Sequence, residues 1–254
     1  MIPVAVLVGV MGLAVGSFLN VVIFRLPRRQ SLVWPGSACP GCGKPIRWYD
    51  NIPVVGWVVL GGRCRDCRAP ISIRYPIVEA VTAAAFLVCY WAIGPEWLLV
   101  SRLLLAAALI ALFAIDLEHQ LLPDRITLPG IVVGLLLSLW LAPGLRDAFL
   151  GLLLGGGVLF ALGETYFRLR GIEGMGFGDV KMLAMVGAFL GWRLVIVTFV
   201  ISSLVGGLFA VVLLLSRRTT LTSALPFGTF LAAGAFIASL WGESLLNWYL
   251  SLYL

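Results

Sequence analysis

Apolar residues occur in long blocks separated by short polar breaks, over 2–24, 77–93, 98–115, 126–141, 148–167, 180–190, 194–215 and 226–250. Blocks of this kind match the ~20 residues an α-helix needs to cross a hydrocarbon core of about 30 Å. A backbone in lipid must satisfy its own hydrogen bonds, which leaves helix as the open choice for such blocks. The pattern predicts an all-α polytopic membrane protein of about eight transmembrane helices. The 180–190 block is short and is expected to tilt or to border a wet cavity. One long polar stretch, residues 25–75, lies between the first and second blocks. It divides the chain into a first transmembrane helix (1–24), an insertion (25–75) and a second transmembrane domain (76–254).

Composition agrees with the blocks. The 254 residues are 61% hydrophobic and 12% charged, against about 45–50% and 25% in soluble domains, so a large water-facing core is excluded. The net charge of +6 would suggest nucleic acid in a soluble protein, but Lys and Arg gather between the apolar blocks, and no nucleic acid is expected. With the N-terminus outside the cytoplasm, fifteen basic residues fall on the cytoplasmic side and only Arg102, Arg146 and Arg193 opposite. The first block has no basic residue ahead of it, and Arg25, Arg28 and Arg29 follow it. That polarity suits a retained first span rather than a cleaved signal peptide.

The insertion holds Cys39-Pro40-Gly41-Cys42 and Cys64-Arg65-Asp66-Cys67, two Cys-x-x-Cys pairs separated by 21 residues. Each pair can present two thiolates along one edge of a tetrahedron, and together they make a four-sulfur zinc site. Two disulfides, or thiols without a metal, are the competing readings. The insertion carries nine basic residues and two acidic ones, which places it in the reducing cytoplasm and favours zinc. A four-sulfur site has no open position, so the metal's expected role is structural, cross-linking a domain too small for an adequate core. Cys89, inside an apolar block, reads as a packed thiol.

Two acids stand where apolar chain begins or ends. Asp179 lies in Gly174-Met175-Gly176-Phe177-Gly178-Asp179-Val180-Lys181, and Asp116 in Ala114-Ile115-Asp116-Leu117-Glu118. A carboxylate at such a place is costly unless paired, wetted or neutralised, which marks both as candidates for function. With the orientation above, both fall at the cytoplasmic boundary, where a pair of carboxylates can share a proton and activate water. Gly174, Gly176 and Gly178 would let a substrate backbone approach Asp179. Asp124, just before a block, reads as a helix N-cap in preference to a catalytic acid. Lys181 reads as a snorkelling cation in preference to a modulator of the Asp179 charge, Glu164 as an i,i+4 partner of Arg168, and Asn20 as either a helix–helix hydrogen bond or part of a polar site. His119, the only histidine, reads as interfacial, and nothing suggests a Ser-His-Asp hydrolase. No internal repeat and no phosphate-binding glycine loop is expected. A cation transporter using the two aspartates would leave the cysteines and the glycine run without a role, and a noncatalytic scaffold in which both aspartates are structural is a further alternative.

Taken together and in order, these features resemble the type IV prepilin peptidases. The likeness is carried by Gly16-Ser17-Phe18-Leu19-Asn20 through Arg25-Leu26-Pro27, the paired cysteine motifs, Asn51-Ile52-Pro53 with Trp57, Asp116 followed by Leu122-Pro123-Asp124, the run 173–181, and Pro226-Phe227-Gly228. The resemblance implies an intramembrane aspartyl protease of the Gly-x-Gly-Asp class, with Asp116 and Asp179 as the catalytic pair and 76–254 as the protease domain. It implies a bacterial inner-membrane enzyme that removes basic leaders from prepilins or pseudopilins of type IV pilus and type II secretion systems. It further implies methylation of the new amino terminus with S-adenosylmethionine, a cysteine-bearing insertion being associated with the bifunctional members. A peptidase without methyl transfer is the nearest alternative. No residue for the methyl donor can be assigned, and oligomeric state is not indicated.

Overall fold

The computed structural model describes residues 2–171, 176–216 and 226–252. It divides into two compact units, Met1–Pro95 and Glu96–Leu254, a boundary after the second apolar helix where the sequence reading draws one before it. No β-strand forms among the described residues. Six described helices are long and apolar enough to cross a membrane.

In the first unit, α1 (Ile2–Arg25) and α3 (Arg74–Ile93) pack through small residues. A Cβ at Gly12 would lie 2.6 Å from the Ala83 Cα, and one at Gly16 would lie 2.7 Å from the Glu79 Cα. Only glycine lets two helix backbones come this close, which in lipid maximises dispersion contact where no hydrophobic drive operates. Asn20 donates from Nδ2 to the Tyr75 carbonyl at 3.0 Å, so of its two readings the helix–helix bond is the one observed. Cys89 is fully buried in α3.

Between these helices the chain forms two small hairpins, a 3-10 turn at Trp48–Asn51 and the short α2 (Val55–Val59). The hairpins are near copies. Cys39 donates its N–H to the Lys44 carbonyl at 2.9 Å, and Cys64 does the same to Ala69 at 2.8 Å. Isolated bridges join Ala38 to Pro45 and Arg63 to Pro70, and Gly43 (φ 70°) corresponds to Arg68 (φ 59°). The expectation of no internal repeat is therefore corrected: Cys-x-x-Cys-x-x-Pro-Ile occurs at 39–46 and again at 64–71. It is too short to register as a repeat until the backbone shows two equivalent turns.

The second unit holds α4 (Trp97–His119), α5 (Asp124–Leu137), α6 (Leu145–Arg170), α7 (Phe177–Leu215) and α8 (Phe227–Ser251). The blocks expected as separate spans at 180–190 and 194–215 both fall within α7, divided by Gly191 at φ 80°, ψ 174°. Leu183 and Val195 both contact the site of a Cβ at Gly155. In an unbroken helix they would stand about 18 Å apart. The chain therefore doubles back at Gly191, a backbone conformation that favours glycine. The reversal frees carbonyls at the end of the first half, and buried Arg102 donates to one of them, Phe189, at 3.1 Å. The remaining block, α5, has 14 residues, or about 21 Å of helix.

The core of this unit gathers Leu105 and Leu112 of α4, Met182 and Val186 of α7, and Leu231 and Ala235 of α8, all essentially sealed from solvent. Gly151 and Gly187 meet backbone to backbone where α6 crosses α7.

Candidate functional site

Three helix ends converge at one pole of the second unit: the last turn of α4, the first turn of α7 and the first turn of α8. α4 ends because Gln120 turns left-handed at φ 49°, ψ 44°, and the loop to α5 brings Leu122 inward, 8% exposed. α7 starts after Gly176, and α8 after Pro226.

Asp116, in the last turn of α4, is only 4% exposed. Its Oδ2 accepts the backbone N–H of Thr229 at 2.8 Å and lies 3.4 Å from the Thr229 hydroxyl, which itself donates to the Pro226 carbonyl. α8 has no side-chain cap from its own Pro226. A carboxylate from α4 takes that place, satisfying an N–H the helix leaves open and meeting the positive end of its dipole. Gly228 makes this possible, since a Cβ there would lie 2.9 Å from the Asp116 Oδ2 and 2.9 Å from the Leu122 Cδ1.

Asp179, in the first turn of α7, is half-buried. The adjoining Gly178 also packs on Leu122, with a Cβ there falling 2.9 Å from the Leu122 Cβ. Asp116 and Leu122 thus share the space over Gly228, and the glycine before Asp179 packs on the same leucine. One carboxylate is sealed and pinned, and its neighbour reaches water. Such a pair can hold a proton between two acids and direct a solvent molecule.

Of the three glycines expected to line a substrate path, Gly174 lies outside the described residues. Gly176 has ordinary extended backbone, φ −68°, ψ 133°, and Gly178 makes room for Leu122. One neighbouring reading is corrected. Asp124 is the first residue of α5 rather than its cap, the cap position being Pro123. The Lys181 Nζ pairs with Asp124 at 2.7 Å and stands 5.2 Å from the Phe177 ring centre. Only the fold reveals this pair, since 57 positions separate the two residues. Glu164 and Arg168 form the expected i,i+4 pair at 2.7 Å, and His119 is exposed beside Glu118.

Sequence reasoning missed Thr229, and it used Gly228 only as part of a resemblance. The available signal was a Pro-x-Gly-Thr start to an apolar helix that carries no cap of its own.

In the first unit the four hairpin cysteines come together, every Sγ within 4.8 Å of the others. Cys39 and Cys67 are 3.7 Å apart at sulfur. Tetrahedral sulfurs about 2.3 Å from zinc lie about 3.8 Å from one another, so the set fits that ion. The separation is far from the ~2.05 Å of a disulfide, and no disulfide is present. The backbone N–H groups of Gly41 and then Cys42 pull the Cys39 thiol down to about 7. At Cys67 the Ala69 N–H acts downward, but desolvation and the thiols of Cys39, Cys42 and Cys64 push the group up to about 11. Four sulfurs this close resist ionising together, and a bound cation removes that opposition.

Comparison with known proteins bears on both regions. The family model for the bacterial peptidase A24 N-terminal domain matches residues 10–93, and that for the type IV leader peptidase family matches residues 103–211. A prepilin leader peptidase/N-methyltransferase of Aeromonas salmonicida (strain A449) is 42% identical, over 96% of this chain and 93% of its own. The protein of the same name from Aeromonas hydrophila is 41% identical over 98% and 94%. The one from Pseudomonas aeruginosa is 40% identical over 94% and 91%. No solved structure matches the chain.

Proposed function

Because the chain belongs to the type IV leader peptidase family, we propose that it cleaves the leader from prepilins with Asp116 and Asp179 and then methylates the amino terminus so exposed. The observation that carries the proteolytic half is the sealed Asp116 carboxylate, fixed on the α8 N-terminus beside a half-exposed Asp179. One carboxylate takes a proton from water as the oxygen attacks the scissile carbonyl carbon. The other gives a proton to the carbonyl oxygen. Collapse of the tetrahedral diol breaks the C–N bond: the carboxylate that gained water's proton passes it to the leaving amine, and the other takes a proton back from a diol hydroxyl as the carbonyl re-forms, restoring the pair. The hydrogen bond from Thr229 keeps Asp116 at one position through these steps, so little reorganisation is needed when charge moves.

Cys39, Cys42, Cys64 and Cys67 would hold zinc as a closed, structural cross-link of the insertion, supported by their mutual spacing. S-adenosylmethionine, when bound, supplies the methyl group, and none of the described residues is assigned to it. The protein is a multi-pass protein of the inner membrane. The distribution of Lys and Arg supports an N-terminus outside the cytoplasm, with the insertion and both aspartates at the cytoplasmic face.

The test is incubation of the full-length protein in lipid with a prepilin and S-adenosylmethionine, reading both products by mass. Wild type should release the leader and add the mass of one CH2 to the mature chain, a methyl group replacing a hydrogen on its amino terminus. Asp116→Ala and Asp179→Ala should each abolish cleavage while membrane insertion and abundance hold. Cleavage by either variant would refute the assignment of the pair.

A further inference from the structure

The short helix α2 (Val55–Val59) turns its apolar side outward. Val55, Val58 and Val59 are 53%, 62% and 73% exposed, and their i, i+3, i+4 spacing puts them on one face. Ile52, just ahead, is also exposed. A helix this short does not hold together by itself, and β-branched side chains facing water do nothing to help it. Two contacts fix it from behind. Gly56 is buried against the Asp50 carbonyl, and the Val54 N–H donates to the Glu79 Oε2 at 2.7 Å. Val54 is held at φ 61°, ψ −51°, a costly backbone for a β-branched residue that persists only where its surroundings impose it.

Glu79 sets the level of this clasp. It lies 7% exposed in α3, about 7–8 Å of helix beyond Arg74 at 1.5 Å per residue. The facing Gly16 rests on its Cα, and Gly16 is about 13 Å of helix inside the Arg25 end of α1. Both helices are of membrane-crossing length and composition. The valine face is therefore tethered inside the ends of both apolar helices. The surrounding residues 25–75 carry nine basic and two acidic side chains. Both acids are taken up internally, in the pairs Lys44–Asp66 and Arg65–Asp50. The cationic excess favours anionic headgroups and disfavours a basic partner.

We propose that α2 is a membrane-interface anchor: Val55, Val58 and Val59 sit among acyl chains at the headgroup boundary of an anionic leaflet, at a depth set by the Glu79–Val54 hydrogen bond. The anchor holds the cysteine hairpins against the lipid surface between α1 and α3. It does not depend on which reaction the protein performs.

The test is photo-crosslinking of the full-length protein in nanodiscs of phosphatidylcholine and phosphatidylglycerol. p-Benzoylphenylalanine replaces Val55, Val58, Val59 or, as a water-facing control, Lys44, and zinc content reports that each protein is folded. Lipid adducts measured by mass should be at least about tenfold more abundant at the three valine positions than at Lys44, and enriched in phosphatidylglycerol over its share of the disc. The Glu79→Ala variant should cut the adduct at Val58 several-fold, and Glu79→Gln, which keeps an acceptor oxygen, should restore it. Adduct yields equal to those at Lys44 would overturn the anchor, as would crosslinks that form only to an added prepilin. Unchanged yield in Glu79→Ala would overturn the role of the clasp.

Discussion

Replacing Gly228 with alanine tests whether the position of Asp116 controls the reaction. The new Cβ would fall 2.9 Å from the Asp116 Oδ2, 3.1 Å from its Cγ and 2.9 Å from the Leu122 Cδ1. Ordinary contact starts near 3.4 Å, so the carboxylate must withdraw by about 0.5 Å. Leu122 cannot absorb the strain freely, because it is also packed against Gly178. Withdrawal also stretches the 2.8 Å bond from Thr229. Displacements of about 1 Å at a reacting group cost roughly 100-fold in rate, which puts the expected loss in kcat/KM at roughly 10- to 100-fold, or about 1.4–2.7 kcal/mol of activation free energy. The helix itself favours alanine over glycine by about 1 kcal/mol, so the change should leave insertion and abundance intact. Initial rates of leader release, measured by mass with the protein in nanodiscs, read the effect. The control is Gly157→Ala, where nothing lies within 4 Å and activity should be unchanged. If Gly228→Ala keeps kcat/KM within about twofold of wild type, the placement of Asp116 by α8 is not what the reaction needs.

Elemental analysis of the purified protein should give about one zinc per chain, falling to less than half in Cys39→Ser and in Cys64→Ser; a metal-free wild type would refute the assigned site. Gly187→Ala places a methyl group on the Gly151 carbonyl and should cost about 2–3 kcal/mol in reversible denaturation, a neutral result contradicting the close α6–α7 crossing. Arg68 occupies the turn position where the other hairpin has Gly43, at φ 59° and 70° respectively. Arg68→Gly should therefore stabilise the insertion by up to about 1 kcal/mol and Gly43→Ala destabilise it by a similar amount, read from the denaturant midpoint for zinc release.

Much of this protein can be read from its chain without a fold. A bilayer imposes one rule on every residue it covers, so spans, their helical form and the two displaced aspartates stand out against an apolar background. The cysteine pairs are equally legible, because metal coordination needs fixed atoms at fixed spacing. Asn20 shows the limit. Its polarity inside α1 marks it, but whether it serves a site or a neighbouring helix depends on Tyr75, 55 positions away.

The relations between helix ends were of the second kind. That Asp116 caps α8 through Thr229, that Leu122 packs on both Gly178 and Gly228, that Lys181 answers Asp124, and that α7 reverses at Gly191 are all facts about segments remote in sequence. Glycine reads alike whether it frees a turn or admits a neighbouring carboxylate, and only the neighbour decides. The chain alone therefore determined a membrane-spanning helical protein, its thiol cluster and its pair of acids, since burial and coordination act on single residues or short motifs. Tertiary structure decided what holds each acid and what fills each gap, because close packing couples atoms that the chain does not order side by side.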